Sequence, residues 1–159
     1  MQTTQNTPSF KFRPMYDGDV DAIMRIEPHI YSHPWTRGNF TDSLHSGYSA
    51  WVLERHDVKN GDEMVGYALL MMVIDEAHLL NLSIAKAYQK QGLGRKLLEH
   101  MVQIAQNHHA QNMFLEVRTS NISAIALYEN MGFNEMAIRR NYYPAANGRE
   151  DAVLMGLAL

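Results

Sequence analysis

The sequence contains no cysteine. That absence excludes a disulfide framework, a thiolate zinc site and an acyl-cysteine intermediate. Charge of either sign is nearly balanced, with 14 basic and 17 acidic side chains and a formal net charge of −3. No basic stripe marks a nucleic-acid surface, and the slight negative excess suits a cationic substrate only weakly. Long hydrophobic runs are also missing. The longest spans residues 67–74, far short of the roughly 20 residues a membrane-spanning helix needs. Residues 1–8 are polar and uncharged, without the basic and apolar regions of a secretory signal. The expectation is a soluble, cytoplasmic protein with a disordered polar tail over residues 1–9. No internal repeat or low-complexity segment interrupts the rest.

A length of 159 residues with 46% hydrophobic side chains fits one compact domain with its own core. Glycine, proline and asparagine divide it into short elements. Residues 10–13 read as a first strand stopped by Pro14. Asp17 is placed to cap a helix over residues 20–26, and Pro28 and Pro34 are expected to end it in a loop. A second helix is expected over residues 35–45. Strands follow at 49–55, 64–74 and 77–85, the last two as a hairpin. In the third of these, Leu80, Leu82 and Ile84 alternate with Leu79, Asn81 and Ser83, which makes one face partly polar. Leu97, Leu98, Met101, Val102 and Ala105 recur at helical spacing. Residues 113–117 form a strand, Asn121 caps a helix that stops at Gly132, and residues 133–139 and 152–157 pair around Asn147 and Gly148. Strands mixed with single helices predict one mixed sheet covered on both faces, an α/β protein.

Three features carry chemistry. The first is the turn Gln89, Lys90, Gln91, Gly92, Leu93, Gly94, Arg95, between a strand and an amphipathic helix. A helix start leaves N–H groups unpaired and carries partial positive charge. Glycine lets backbone approach a phosphate closely, and a basic side chain adds charge. The pattern is short enough to arise by chance. It is neither a P-loop, which needs a following Gly-Lys-Ser/Thr, nor a dinucleotide fingerprint, because Leu97 stands where the third glycine belongs.

Glu116 is the second feature, a carboxylate inside the apolar strand at residues 113–117. It is either partnered structurally or poised chemically. Desolvation by Phe114 and the neighbouring aliphatics is expected to raise its pKa, which suits a general base near neutral pH. An α-amino group titrates at about 7.7–8.0 and needs only modest help to lose its proton. The third feature is Tyr128, seven positions after Asn121 and so about two helical turns along the same face. It reads as a core aromatic with its hydroxyl at the rim, or as a proton donor to a departing thiolate.

Taken in order, these residues resemble a known family. The stretch 81–94 (NLSIAKAYQKQGLG) resembles the acyl-CoA-binding motif of the GNAT superfamily, and 115–133 (LEVRTSNISAIALYENMGF) resembles its second core motif. With 139–144 (RRNYYP), the similarity extends to the bacterial ribosomal-protein-alanine N-acetyltransferases within it. The resemblance implies a single GNAT domain over residues 10–159 and acetyl-CoA as co-substrate. It implies that the backbone of Leu82, Ser83 and Ile84 pairs with the pantetheine arm. Lys90, Gln91, Gly92, Leu93, Gly94 and Arg95 would wrap the pyrophosphate, and Asn121 would touch the cofactor from the next helix. Glu116 matches the family's proton acceptor and Tyr128 its proton donor in a direct transfer, with a main-chain N–H near Ile84 facing the oxyanion. The implied acceptor is the N-terminal alanine of a small-subunit ribosomal protein. Its peptide would enter between residues 30–37 and the late tyrosines, against Trp35, Tyr142 and Tyr143.

Other readings stay open at this point. A small-molecule amine acetyltransferase would share the same motifs, as would a non-catalytic acyl-CoA-binding module, although the presence of both Glu116 and Tyr128 argues against the latter. The eight histidines suggest no metal: His29 and His33 are four apart, but Pro34 follows at once and no His-Glu-x-x-His occurs. His108 and His109 suit a helix end. Methionines such as Met71 and Met72 read as core filler, and Arg139 and Arg140 as a solvated or substrate-facing edge.

Overall fold

Phe10 and Phe12 alternate with Lys11 and Arg13, a period-two pattern that pairs well against another strand. In the computed structural model, which describes residues 7–159, they form β1 (Ser9–Pro14), antiparallel to β2 (Ser49–Asp57). Of the expected tail over residues 1–9, residues 1–6 lie outside the described residues, and Ser9 already pairs with His56.

A short 3₁₀ turn at Asp17–Asp19 leads into α1 (Val20–Met24). The expected break at Pro28 is displaced. Pro28 lies in the first turn of a separate helix, α2 (Glu27–Ile30), where its missing N–H leaves no bond unmade. After the Pro34 loop, Thr36 caps α3 (Arg37–His45), its hydroxyl accepting from the Asn39 N–H at 3.2 Å.

The remaining elements are β3 (Gly61–Val73), β4 (Glu76–Ile84), α4 (Leu93–Asn107), β5 (Asn112–Arg118), α5 (Ile122–Asn130), β6 (Asn134–Ala145) and β7 (Gly148–Ala158). Seven strands form one sheet in the order β1-β2-β3-β4-β5-β7-β6. Every pairing is antiparallel except β4 with β5. Strand alternation sends Val52, Tyr67 and Leu69 to one face with Ile23 and Phe40, and Leu53, Ala68 and Leu70 to the other with Leu97, Leu98 and Met101. Helices therefore cover both faces, as expected. Of the methionines expected as core filler, Met72 packs against the core from a half-buried position and Met71 is half-buried, whereas Met101, Met113 and Met155 are fully enclosed. No helix among the described residues is long and apolar enough to cross a membrane.

Two features of β4 position the site. Leu69 pairs with Asn81 but Leu70 with Leu79, so Leu80 is an extra, unpaired residue. A bulge of this kind bends its strand. The parallel register of β4 with β5 ends just there, at Leu79 opposite Leu115. Beyond it the strands diverge, and the sheet opens into a cleft.

Candidate active site

The cleft holds a cavity of about 420 Å³ walled on one side by Leu80, Asn81 and Leu82 and on the other by Glu116, Val117 and Arg118. Asn121 and Tyr128 close it from α5, and Trp35 and Tyr143 from the outer side. It adjoins a second cavity of about 620 Å³, lined by Trp35, His78, Glu116, Arg139, Tyr142 and Tyr143. Glu116, Trp35 and Tyr143 face both.

Glu116 departs from the sequence expectation. Along β5, Met113, Leu115 and Val117 are buried while Phe114, Glu116 and Arg118 point to the half-open face. Its carboxylate is therefore not isolated among aliphatics. Arg139 Nε on β6 lies 3.3 Å from Oε1, and the Glu116 side chain is 26% exposed. Tyr142 hydrogen-bonds to the same carboxylate, which pushes its hydroxyl above the ordinary phenol range. Tyr143 is pushed up to about 12 by burial and then by Glu116.

Tyr128 is buried on α5, packed against Phe133 at 5.6 Å between ring centroids. Burial raises its pKa. Asn121 both caps α5, accepting from the Ala124 N–H at 3.3 Å, and faces the cleft with Tyr128. Gly132, at φ 101°, ends the helix as expected.

The glycine turn sits at the far end of β4. Gly92 caps α4 in the left-handed region at φ 80°, and Lys90 is also left-handed at φ 63°. The first intrahelical bond runs from the Lys96 N–H to the Gly92 carbonyl at 3.2 Å. The N–H groups of Leu93, Gly94 and Arg95 therefore point out of the helix start without intrahelical partners. Gly94 packs close to Leu127 and Ile84, and the Arg95 guanidinium is held by Glu99 at 3.0 Å. The Gln89 amide donates back to the Ile84 carbonyl at 2.9 Å. Unpaired N–H groups, positive dipole and the nearby ammonium of Lys90 fit a pyrophosphate.

Leu82 and Asn121 line the cleft, and Trp35, Tyr142 and Tyr143 gather at the second cavity beside Glu116. Ser83 and Ile84 do not line it: Ser83 turns its hydroxyl to Asn81 and Tyr31, and Ile84 packs into the core. Near Ile84, where an oxyanion donor is expected, β4 runs in regular register with β3. Ile84 is paired with Gly66 on β3, whereas the unpaired bulge residue is Leu80. No group of three histidine, aspartate or glutamate side chains able to hold a metal occurs among the described residues.

Several cleft residues went unread in the sequence. Arg118 is bonded to Glu150 at 2.9 Å and to the Pro144 carbonyl at 2.6 Å, over the Tyr143 ring at 4.4 Å, and so ties β6 to the cleft wall. Glu27 and Tyr31 reach the cleft from α2 and its end. The one signal for them was the polar Asn81 and Ser83 within an apolar strand, since buried polar groups need partners.

Comparison with known proteins follows the same lines. The sequence model of the Acetyltransferase (GNAT) family matches residues 20–133. An Escherichia coli (strain K12) protein named ribosomal protein bS18-alanine N-acetyltransferase is 43% identical over 141 residues, covering 89% of this chain and 92% of that protein. The crystal structure of the ribosomal-protein-S18-alanine N-acetyltransferase from Escherichia coli superposes with a TM-score of 0.84 at 40% identity, covering 94% of each chain. Arabidopsis thaliana NAA60 in complex with acetyl-CoA shares the fold, with a TM-score of 0.83 at 18% identity, covering 95% of this chain and all of that one.

Proposed function

The chain belongs to the acetyltransferase (GNAT) family as an acetyl-CoA-dependent N-acetyltransferase, and we propose that its acceptor is the α-amino group of an N-terminal alanine on a small-subunit ribosomal protein, modified in the cytoplasm. The observation that carries this reading is the kinship over nine-tenths of the chain with an enzyme named for the bS18 alanine. The open cavity beside Glu116, walled by Trp35, Tyr142 and Tyr143, supports a peptide over a small amine, because a peptide needs room to leave the cleft.

When bound, acetyl-CoA supplies an acetyl thioester, so an amide N–C bond forms as the C–S bond breaks and one proton must leave nitrogen while another reaches sulfur. Lys90, Gln91 and the N–H groups of Gly92, Leu93, Gly94 and Arg95 hold the pyrophosphate at the start of α4. The backbone of β4 at Leu82, Ser83 and Ile84 runs beside the pantetheine arm, with Asn121 opposite. Glu116, where the two cavities meet, accepts the amine proton directly or through one water. Tyr128 keeps its proton because it is buried, and gives it to the departing sulfur. Transfer is direct, with no side chain carrying the acetyl group.

The experiment compares acetyl transfer to an Ala-initiated peptide with transfer to free polyamines and amino acids. A kcat/KM higher for the peptide is expected, and preference for the free amines overturns the acceptor assignment. In cells, loss of the protein should lower the mass of one small-subunit ribosomal protein by one acetyl group.

A further inference from the structure

Glu27 is 1% exposed, and no ion pair among the described residues includes it. A buried carboxylate without a counter-cation is costly unless donors satisfy it. Here the donors come from three separate parts of the chain. The Trp35 N–H reaches Oε1 at 3.1 Å, Asn81 Nδ2 reaches the same oxygen at 3.4 Å, and the Tyr67 hydroxyl binds Oε2. Burial, the largest influence, pushes the Glu27 carboxyl above its ordinary range against those donors.

The placement of the donors is what gives this arrangement a role. Trp35 stands where the two cavities meet. Asn81 directly follows the bulge residue Leu80, where β4 leaves β5. Asn81 Oδ1 in turn accepts from Ser83 at 2.7 Å, and Ser83 meets the Tyr31 hydroxyl at 3.0 Å, which also donates to the Leu82 carbonyl at 3.0 Å. One carboxylate thus fixes the outer loop and the bulged strand relative to each other across the acceptor side of the cleft. The glycine turn and α4 are not part of this network.

We propose that Glu27 is a positioning residue, which holds the Trp35 loop and Asn81 at a set separation and thereby seats the acceptor amine rather than the coenzyme. This rests on the acceptor entering beside Trp35, but not on whether the acceptor is a peptide or a free amine.

The test measures KM for acetyl-CoA and for whichever acceptor the wild type prefers, in Glu27→Gln, Asn81→Leu and Tyr67→Phe. Glutamine keeps the shape but offers Trp35 and Asn81 only a neutral amide oxygen in place of a charged one, and leucine removes the amide of Asn81. Both should raise acceptor KM by about tenfold, the scale of a lost hydrogen bond to a charged group, while acetyl-CoA KM stays within about twofold. Tyr67→Phe, which removes the third donor to the same carboxylate, should lower thermal stability and raise acceptor KM in the same direction, with acetyl-CoA KM again within about twofold. If the glutamine variant does not fold, Asn81→Leu carries the same prediction. Unchanged acceptor KM in a folded variant, or equal rises in both KM values, overturns the proposal. A wild type that prefers free amines would overturn the peptide assignment alone, since the KM split is then read on the amine.

Discussion

At the scale of single residues, Glu116 has the guanidinium of Arg139 at 3.3 Å and the hydroxyls of Tyr142 and Tyr143 around it. Glu116→Gln preserves the side chain's shape and removes its ability to take a proton. Its kcat/KM at neutral pH should fall by about 10²–10⁴-fold, the usual worth of a positioned acid or base, with the melting temperature nearly unchanged because the site is half-open. Tyr128→Phe should also reduce kcat, while acetyl-CoA binding, followed by calorimetry, stays intact. Retention of full turnover by either variant would remove that residue from the reaction. Both residues were legible as chemistry-bearing, because a carboxylate in an apolar strand and a tyrosine two turns past a cap stand out. The environment of Glu116 was not. Arg139 is 23 positions away in sequence, and only the β5–β7–β6 order brings it alongside.

At the scale of elements, two glycines act by different physics. Gly92 has φ 80° and open space around its missing side chain. Gly92→Ala should therefore cost about 1–2 kcal/mol from the left-handed backbone alone, and raise acetyl-CoA KM by distorting the α4 start. Gly66 lies on β3, where a methyl group would stand 2.9 Å from the Ser83 carbonyl oxygen and 2.7 Å from Ile84 Cδ1. Gly66→Ala forces β3 from β4 and should cost about 1–3 kcal/mol, as overpacking does. Urea unfolding midpoints check both. Helix α4, the placement of the strands and the β3–β4 and β6–β7 hairpins were readable from periodicity and turn residues, although β6 and β7 run longer than expected and the β2–β3 hairpin was not read. The bulge at Leu80 was not, because one extra residue in a strand leaves no mark in a local pattern. Because of it, Asn81 and Ser83 face the buried network while Leu80 and Leu82 border the cleft.

At the scale of the whole molecule, stability should depend on pH through His100. Its ring stacks on Phe12 at 4.0 Å and meets Trp51 edge-on at 4.6 Å, and its buried Nε2 has no hydrogen-bond partner among the described residues. Burial lowers its pKa in the folded protein, so the unfolded chain, titrating near 6.5, binds the proton more readily. The contribution is therefore present above about pH 6.5 and is lost as pH falls through the unfolded value toward the lower folded one. His100→Leu should flatten the loss of stability between pH 7.5 and 5.5, measured by thermal unfolding at each pH. Acetyl-CoA should act in the opposite sense, stabilising the fold by about 2.7 kcal/mol at a hundred times its dissociation constant.

Local rules in the sequence determined the elements, the mixed sheet and the ordered motifs of the family, because propensity, periodicity and turn chemistry act over a few residues. The same motifs carried Glu116, Tyr128 and the glycine turn. Tertiary structure alone decided where the sheet opens, that Arg139 stands beside Glu116, and that Glu27 joins the Trp35 loop to the strand after the bulge. Those facts depend on pairing register and on contacts across as many as 54 positions of chain, and such contacts follow from the packing of the complete sheet.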